Sequence, residues 1–342
     1  MPLSFFKNAE SSFKNEIENR ADISNKKIGV ISYWAVCQDW TENDYHLLKN
    51  FLNQHDLCIF ISDEVMSDDK ERTIHIISIL EQYNTYYILF SKEKVFDSFN
   101  IKSDRVLNLP WFIKSPVSDH DFPIYSTKQY DFNMLLGSNR PHRTILFRAL
   151  NNNKRIYTSY FGHSKFRHDS DIHLDEIDVL YTLKNQDTSQ KLNTMLPVIR
   201  NGNSIAISAA IPTAIYKETH FDIVSETKFD NEIFFSTEKT GKPLATGRFF
   251  CWLTAYNFQD YLKSFGFDVS DYYCKYDKIR DPVKRLADLI DFIDEITQSK
   301  LLVQEIYNTT LESRKHNFNN FKQIRKELNQ KLNSWLENII SE

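Results

Sequence analysis

From residue 26 onward, short apolar runs alternate with longer stretches in which apolar positions recur every three or four residues. The runs at 28–34, 57–62, 86–90 and 105–109 read as strands, and 42–54, 70–83 and 93–99 as helices. Strands that are apolar throughout and separated by helices belong to parallel sheets covered on both faces, which predicts a Rossmann-like first half. Residues 110–128 interrupt the pattern with Pro110, Pro116 and Pro123 among polar and aromatic positions, as a connector does. A second series follows, with strands expected at 130–136, 155–158, 204–207, 221–225, 233–236 and 248–253. Its helices are expected at 143–151, 189–199, 240–246 and 255–265.

Asp281 before Pro282 is a helix cap followed by a proline at the first helical position, and Val283, Leu286, Leu289, Ile290, Ile293 and Ile296 then recur at helical spacing. The tail from Lys300 continues as polar helix with an irregular apolar stripe, which argues for packing along a domain rather than for a coiled coil. Before residue 26, Phe5, Phe6, Phe13 and Ile17 could share one face of a short helix. The expected fold is α/β, with domains at 1–127 and 128–298 and a helical tail at 299–342.

Composition narrows the class. A chain of 342 residues can bury two medium cores, and a net charge of −4 provides no global basic field for sequence-independent binding to nucleic acid. The cysteines Cys37, Cys58, Cys251 and Cys274 have no metal-knuckle spacing, and no apolar run reaches the ~18 residues of a membrane span. With no secretory pattern at residue 1 either, the expected location is the cytoplasm. Only 7 glycines occur in the chain, and neither a G-x-G-x-x-G nor a Walker loop is present, so any phosphate must be gripped by other means.

Two segments offer such means. Phe235-Ser236-Thr237-Glu238-Lys239 runs from an apolar stretch into the helix expected at 240–246, where open α/β sheets bind ligands. A threonine cap with an acidic first turn is also ordinary helix punctuation, and both readings stand at this level. Ser138-Asn139-Arg140-Pro141-His142-Arg143 places arginines at the start of the second domain's first helix, where guanidinium groups and free N–H groups suit an anion. A solvated basic turn is the rival reading.

These segments together resemble the α1,3-fucosyltransferase-like glycosyltransferases. The likeness lies in Ser138-Asn139, Arg143 and Phe147-Arg148-Ala149-Leu150, then Phe221–Glu226, and then Thr237-Glu238-Lys239 with Lys242–Gly247, in matching order. It covers residues 130–267; the first domain matches only in its α/β pattern. The resemblance implies a GT-B fold of two Rossmann-like domains facing a cleft, and an inverting, metal-independent transfer from a UDP- or GDP-linked sugar with no further cofactor. It implies that Arg143 and Lys239 contact the donor diphosphate, that Glu238 and Glu226 face the ribose or sugar, and that Ser138, Asn139 and Thr237 complete the donor site. Ser225-Glu226-Thr227 and the Arg140-Pro141-His142 insert depart from the family pattern, which leaves the sugar open.

A departing diphosphate gains negative charge while the sugar becomes oxocarbenium-like, so fixed cations beside carboxylates suit the reaction. A base must also take the acceptor proton, and Asp63, Glu64 and Asp39 are the candidates because they follow predicted strands. Asp63 could equally cap the next helix. Trp34, Trp40 and Trp111, near predicted strand ends, could stack on a sugar or base. The basic series Arg140, His142, Arg143, Arg148, Lys154, Arg155, His163, Lys165, Arg167 and His168 exceeds what a diphosphate needs. A glycan is the expected acceptor; modified DNA, as for a phage-type DNA glycosyltransferase, is the alternative, and a non-catalytic nucleotide- or glycan-binding scaffold is a third reading.

Overall fold

The structure, a computed structural model, describes residues 26–33, 40–62, 70–90, 101–114, 130–136, 140–150, 156–160, 198–200, 203–205, 211, 216–217, 219–229 and 234–341. Its contacts divide the chain into two units, Met1–Lys114 with Lys326–Glu342, and Ser115–Arg325. The division falls inside the proline-bearing connector. The tail is shared between the units rather than forming a third one.

In the first unit β1 (Ile28–Ser32), β2 (Leu57–Ser62), β3 (Thr85–Leu89) and β4 (Val106–Asn108) form a parallel sheet in that order. Helix α1 (Glu42–Asn53) joins β1 to β2, α2 (Lys70–Leu80) lies between β2 and β3, and the one-turn α3 (Trp111–Lys114) follows β4. One face buries Ile31, Phe60 and Tyr87 with Leu48 and Leu52 of α1 and Ile76 and Leu80 of α2. The other buries Ile59, Ile61 and Ile88 with Leu332, Leu336 and Ile339 from the end of the chain. Covering both faces is why β2 is buried at every position. Gly29 provides room there, since a Cβ would lie 2.8 Å from the Phe51 ring and 2.9 Å from His55.

In the second unit β5 (Tyr130–Leu136) leads into α4 (Pro141–Leu150) and β6 (Ile156–Tyr160). The short strands β7 (Val198–Arg200) and β8 (Asn203–Ile205) pair antiparallel with each other, apart from the main sheet. Then come β9 (Thr219–Ser225), α5 (Glu238–Ala245), β10 (Phe249–Leu253), α6 (Phe258–Ser264), α7 (Pro282–Ile296), α8 (Lys300–Thr309) and α9 (Leu311–Ser341). The parallel sheet has the order β10-β9-β5-β6. Phe132, Phe221 and Phe249 line up across its register, with ring centroids 5.3 and 5.4 Å apart, and fix one face. Helix α7 is capped by Asp281, whose side chain accepts from the Lys284 N–H at 2.8 Å, and buries five of the six apolar residues that its spacing predicts, Val283 in its first turn being half-buried.

The strand expected at 233–236 does not form over its described part, 234–236. β9 pairs directly with β10 and leaves no place for it between them, and Phe234 stacks on Tyr261 of α6 at 4.7 Å instead. The helix expected at 189–199 is contradicted at its end, where Val198–Arg200 is strand. The apolar runs fit either element until the pairing of β7 with β8 decides. The short helix expected at 93–99 lies outside the described residues.

Candidate functional site

The sheet of the second unit reverses direction at β5: β6 lies on one side, and β9 and β10 on the other. Ligands of open α/β sheets bind beyond the carboxyl ends of the strands at such a reversal. Among the described strands the first sheet runs in chain order and has no such point.

Segments that follow β5 and β9 meet across the switch. Arg143, in the first turn of α4, donates from Nη2 to the Ser225 carbonyl at 3.1 Å. His142 lies 3.0 Å through Nε2 from the Glu226 carbonyl. Burial and the neighbouring Arg143 guanidinium hold the imidazole pKa well below its ordinary value, so the ring is neutral and Nε2–H is the donor. On β9's other side, the Glu226 backbone N–H donates to the Leu253 carbonyl at the end of β10, at 3.0 Å. Glu226 thus ties three segments together through its main chain alone.

Its carboxylate is equally engaged. Oε1 accepts from the Thr237 backbone N–H at 2.9 Å and from the Thr240 hydroxyl at 2.6 Å, and Oε2 accepts from the Thr237 hydroxyl at 2.7 Å. Glu226 is fully buried, so the N-terminus of α5 already holds an internal anion. Charge-assisted bonds of this kind are the strong ones. Thr237 caps α5 and also accepts from the Lys239 ammonium at 3.1 Å, and the same ammonium pairs with Glu238 at 3.1 Å.

Lys239 and Glu238 reach solvent, with 20% and 14% of their side chains exposed, whereas Arg143, Glu226 and Thr237 are buried. Burial alone would raise the Glu238 pKa, but the Lys239 and Lys242 ammonium groups outweigh it and hold the carboxyl below its ordinary value. Lys242, one turn further along α5, is pushed down to about 8 by desolvation, with Lys239 adding to the effect and Glu238 opposing it. The arrangement is a partly dehydrated ammonium pair sharing one carboxylate, a group of charges that an arriving anion can reorganise.

The structure therefore gathers Arg143, Glu226, Thr237, Glu238 and Lys239, named from the sequence, into one network. It also changes the expected position of two of them. Arg143 and Glu226 are internal and would act through the strand ends and the α5 cap, because their polar atoms face protein rather than solvent. Ser138, Asn139, Asp63, Glu64 and Asp39 lie outside the described residues. His142, Thr240 and Lys242 were not among the expected donor-binding residues. The His142 signal was present in its insert beside Arg143, but nothing local marks Thr240 as a partner of Glu226. At the same edge the Ser225 and Thr254 hydroxyls and His142 Nδ1 are buried with no hydrogen-bond partner among the described residues. Two Asp-x-Asp runs, Asp119-His120-Asp121 and Asp169-Ser170-Asp171, lie outside the described residues. Among the described ones no helix is long and apolar enough to cross a membrane.

Fold and site together define an α/β protein of two parallel-sheet units with a charged, largely internal network at the switch point of the second. No family model matches the chain, and no curated protein matches it. A solved structure described as the crystal structure of an α1,3-fucosyltransferase is similar at 12% identity, covering 88% of this chain and 90% of that one, with a TM-score of 0.36. That degree of likeness is too low to establish a shared fold.

Proposed function

We propose that the protein is an inverting glycosyltransferase of GT-B type that moves a sugar from a nucleotide-diphosphate donor to a hydroxyl of a glycan. The observation that carries this reading is the network at the switch point. It holds the Lys239 ammonium at the rim of a parallel sheet, with the buried charges of Arg143 and Glu226 behind it. In the transfer, the acceptor oxygen forms a bond to the anomeric carbon as the bond from that carbon to the diphosphate oxygen breaks. The diphosphate leaves with the electron pair, and a base takes the acceptor proton.

Lys239 would exchange Glu238 for a phosphate oxygen, and Lys242 would add charge as the leaving group develops it. Glu238, freed from Lys239, would accept from a donor hydroxyl. Arg143 would add fixed positive charge near the switch point, and Glu226 would hold the α5 terminus that presents the lysines. Asp63, Glu64 and Asp39 remain the candidates for the base. Cations placed in this way serve the leaving group without a metal, so turnover should persist in excess EDTA.

The test is incubation with a panel of UDP- and GDP-sugars while free nucleotide is measured. Slow donor hydrolysis is expected with one of them, and neither release nor a thermal shift with any donor would overturn the reading. A thermal shift without release, in the presence of glycan acceptors, would identify a binding scaffold. The DNA alternative draws on the basic series, yet His142 and Arg143 are buried, out of reach of a phosphate backbone. Anisotropy with duplex and single-stranded DNA at two salt concentrations should accordingly show no salt-sensitive binding.

A further inference from the structure

A concave surface lies within the second unit, built from residues that the switch-point network does not use. It is a groove of about 580 Å³ between α7, α8 and the turns at 270–278. That volume is in the range of ligand sites. Helix α7 contributes Asp288, Asp291, Phe292, Glu295 and Ile296, and α8 contributes Leu302, Glu305, Ile306 and Thr309. On both helices the spacing is i, i+3, i+4 and i+7, so each turns one continuous face to the groove.

The two faces have a common design. Phe292, Ile296, Leu302 and Ile306 make an apolar floor with Tyr276, whose ring lies 5.8 Å from that of Phe292. Asp288, Asp291, Glu295 and Glu305 rim it, opposed only by Lys275, and none of the four forms an ion pair among the described residues. The row from Asp288 to Glu295 extends about 10 Å, two helical turns. Tyr273, on the same rim, is 50% exposed and holds a left-handed φ of 57°, which is unusual for a bulky residue. Leu301, beside the floor residue Leu302, is 83% exposed.

We propose that this groove docks a basic amphipathic helix of a partner protein, independently of the glycosyltransferase reading. The apolar side chains of such a helix would enter the floor at i, i+3 or i+4 and i+7, and its flanking lysines or arginines would meet the rim carboxylates. The occupant is fixed by charge complementarity: an acidic or neutral helix would leave four carboxylates facing apolar surface or like charge. A small polycation would satisfy the rim yet leave the floor uncovered.

The experiment uses the full chain and a fluorescent peptide of about four helical turns, with leucines on one face and lysines flanking them. Its controls are a scrambled peptide of the same composition and one with glutamate in place of lysine. Anisotropy should report saturable binding of the amphipathic peptide alone. Binding should weaken at least about tenfold in the variant D288N/D291N/E295Q, as loss of three rim charges predicts, and stay unchanged in E312Q, which removes an exposed charge on α9. These are surface changes, and an unchanged melting temperature checks the fold. Equal binding of the scrambled peptide, equal loss in E312Q, or displacement by spermidine at the peptide's own concentration would each overturn the proposal. Donor hydrolysis should be the same in the triple variant and the parent, so failure here is distinguishable from failure of the catalytic reading.

Discussion

The two ends of the second sheet both bury an arginine, and they use it differently. Towards the amino end, Arg248 pairs with Asp222, donates to the carbonyls of Tyr216 and Thr219 at 2.8 and 3.0 Å, and lies 4.2 Å over the Tyr216 ring. Asp222 also accepts from Asn133 at 2.7 Å, so charge answers charge within the protein. At the carboxyl end, Arg143 donates to the carbonyl of Ser225, and the neighbouring carboxylate of Glu226 is spent on the α5 cap. The charged pair there, Lys239 with Glu238, faces solvent. The first pair is closed off within the protein, whereas the second network keeps its outer members, Lys239 and Glu238, within reach of water.

The largest expected effect breaks the closed end. Asp222→Ala leaves Arg248 buried without its carboxylate and should cost about 3 to 5 kcal/mol in urea unfolding. Retained stability would remove the distinction between the two ends.

Next comes the open end. Lys239→Ala should weaken binding of a nucleoside diphosphate by about 1.5 to 3 kcal/mol in calorimetry while moving stability by less than about 1 kcal/mol, because its ion pair is partly exposed. The same titration on Arg143→Ala should show a smaller loss of affinity than Lys239→Ala, now with a loss of stability, since that side chain is buried and bonds to the Ser225 carbonyl.

Glu226→Gln discriminates between a ligand contact and a cap. If the carboxylate acts by holding α5, unfolding should reveal a loss of about 1 to 3 kcal/mol together with weaker donor binding. Full stability with lost turnover would instead assign it to the ligand.

The smallest effect is a pH profile. Because the Lys242 value of about 8 lies below the 10.5 of an unperturbed lysine, the unfolded chain binds more protons between them. This group's contribution to stability therefore rises with pH across that window. An anion favours the ammonium form, so diphosphate affinity should fall as pH rises through about 8, and Lys242→Arg should abolish that fall. A flat profile in the parent would show that Lys242 takes no part.

Elements with strong local signals were legible. Helix α7 follows from the Asp281-Pro282 start and its apolar spacing, and β2 from a run that is apolar up to its final serine. The run at 233–236 is aromatic and apolar too, yet Phe234 packs its ring on Phe258 and Tyr261 of α6, and the ladder position beside β9 belongs to β10. The cap of α6 was equally hidden. Asn257 makes no side-chain cap, and Asp277, twenty residues on, accepts from the backbone N–H groups of Phe258 and Gln259 and from the Trp252 indole. Burial raises the Asp277 pKa despite those bonds.

The same division runs through the candidate site. Thr237-Glu238-Lys239 and Arg143 stand out locally because their residue types sit at helix starts, and capping and dipole rules act over one turn. That Glu226 points into the α5 terminus rather than outward, and that His142 and Arg143 bridge β5 to β9, depends on contacts 11 to 84 residues apart. Sequence by itself determined the alternation of strand and helix and the chemical inventory at the loop ends, since both rest on periodicity and on interactions along a single turn. Strand order, the reversal at β5, and which charges are buried or open to solvent were decided only by tertiary structure, because burial and pairing are properties of neighbours that the chain brings from far away.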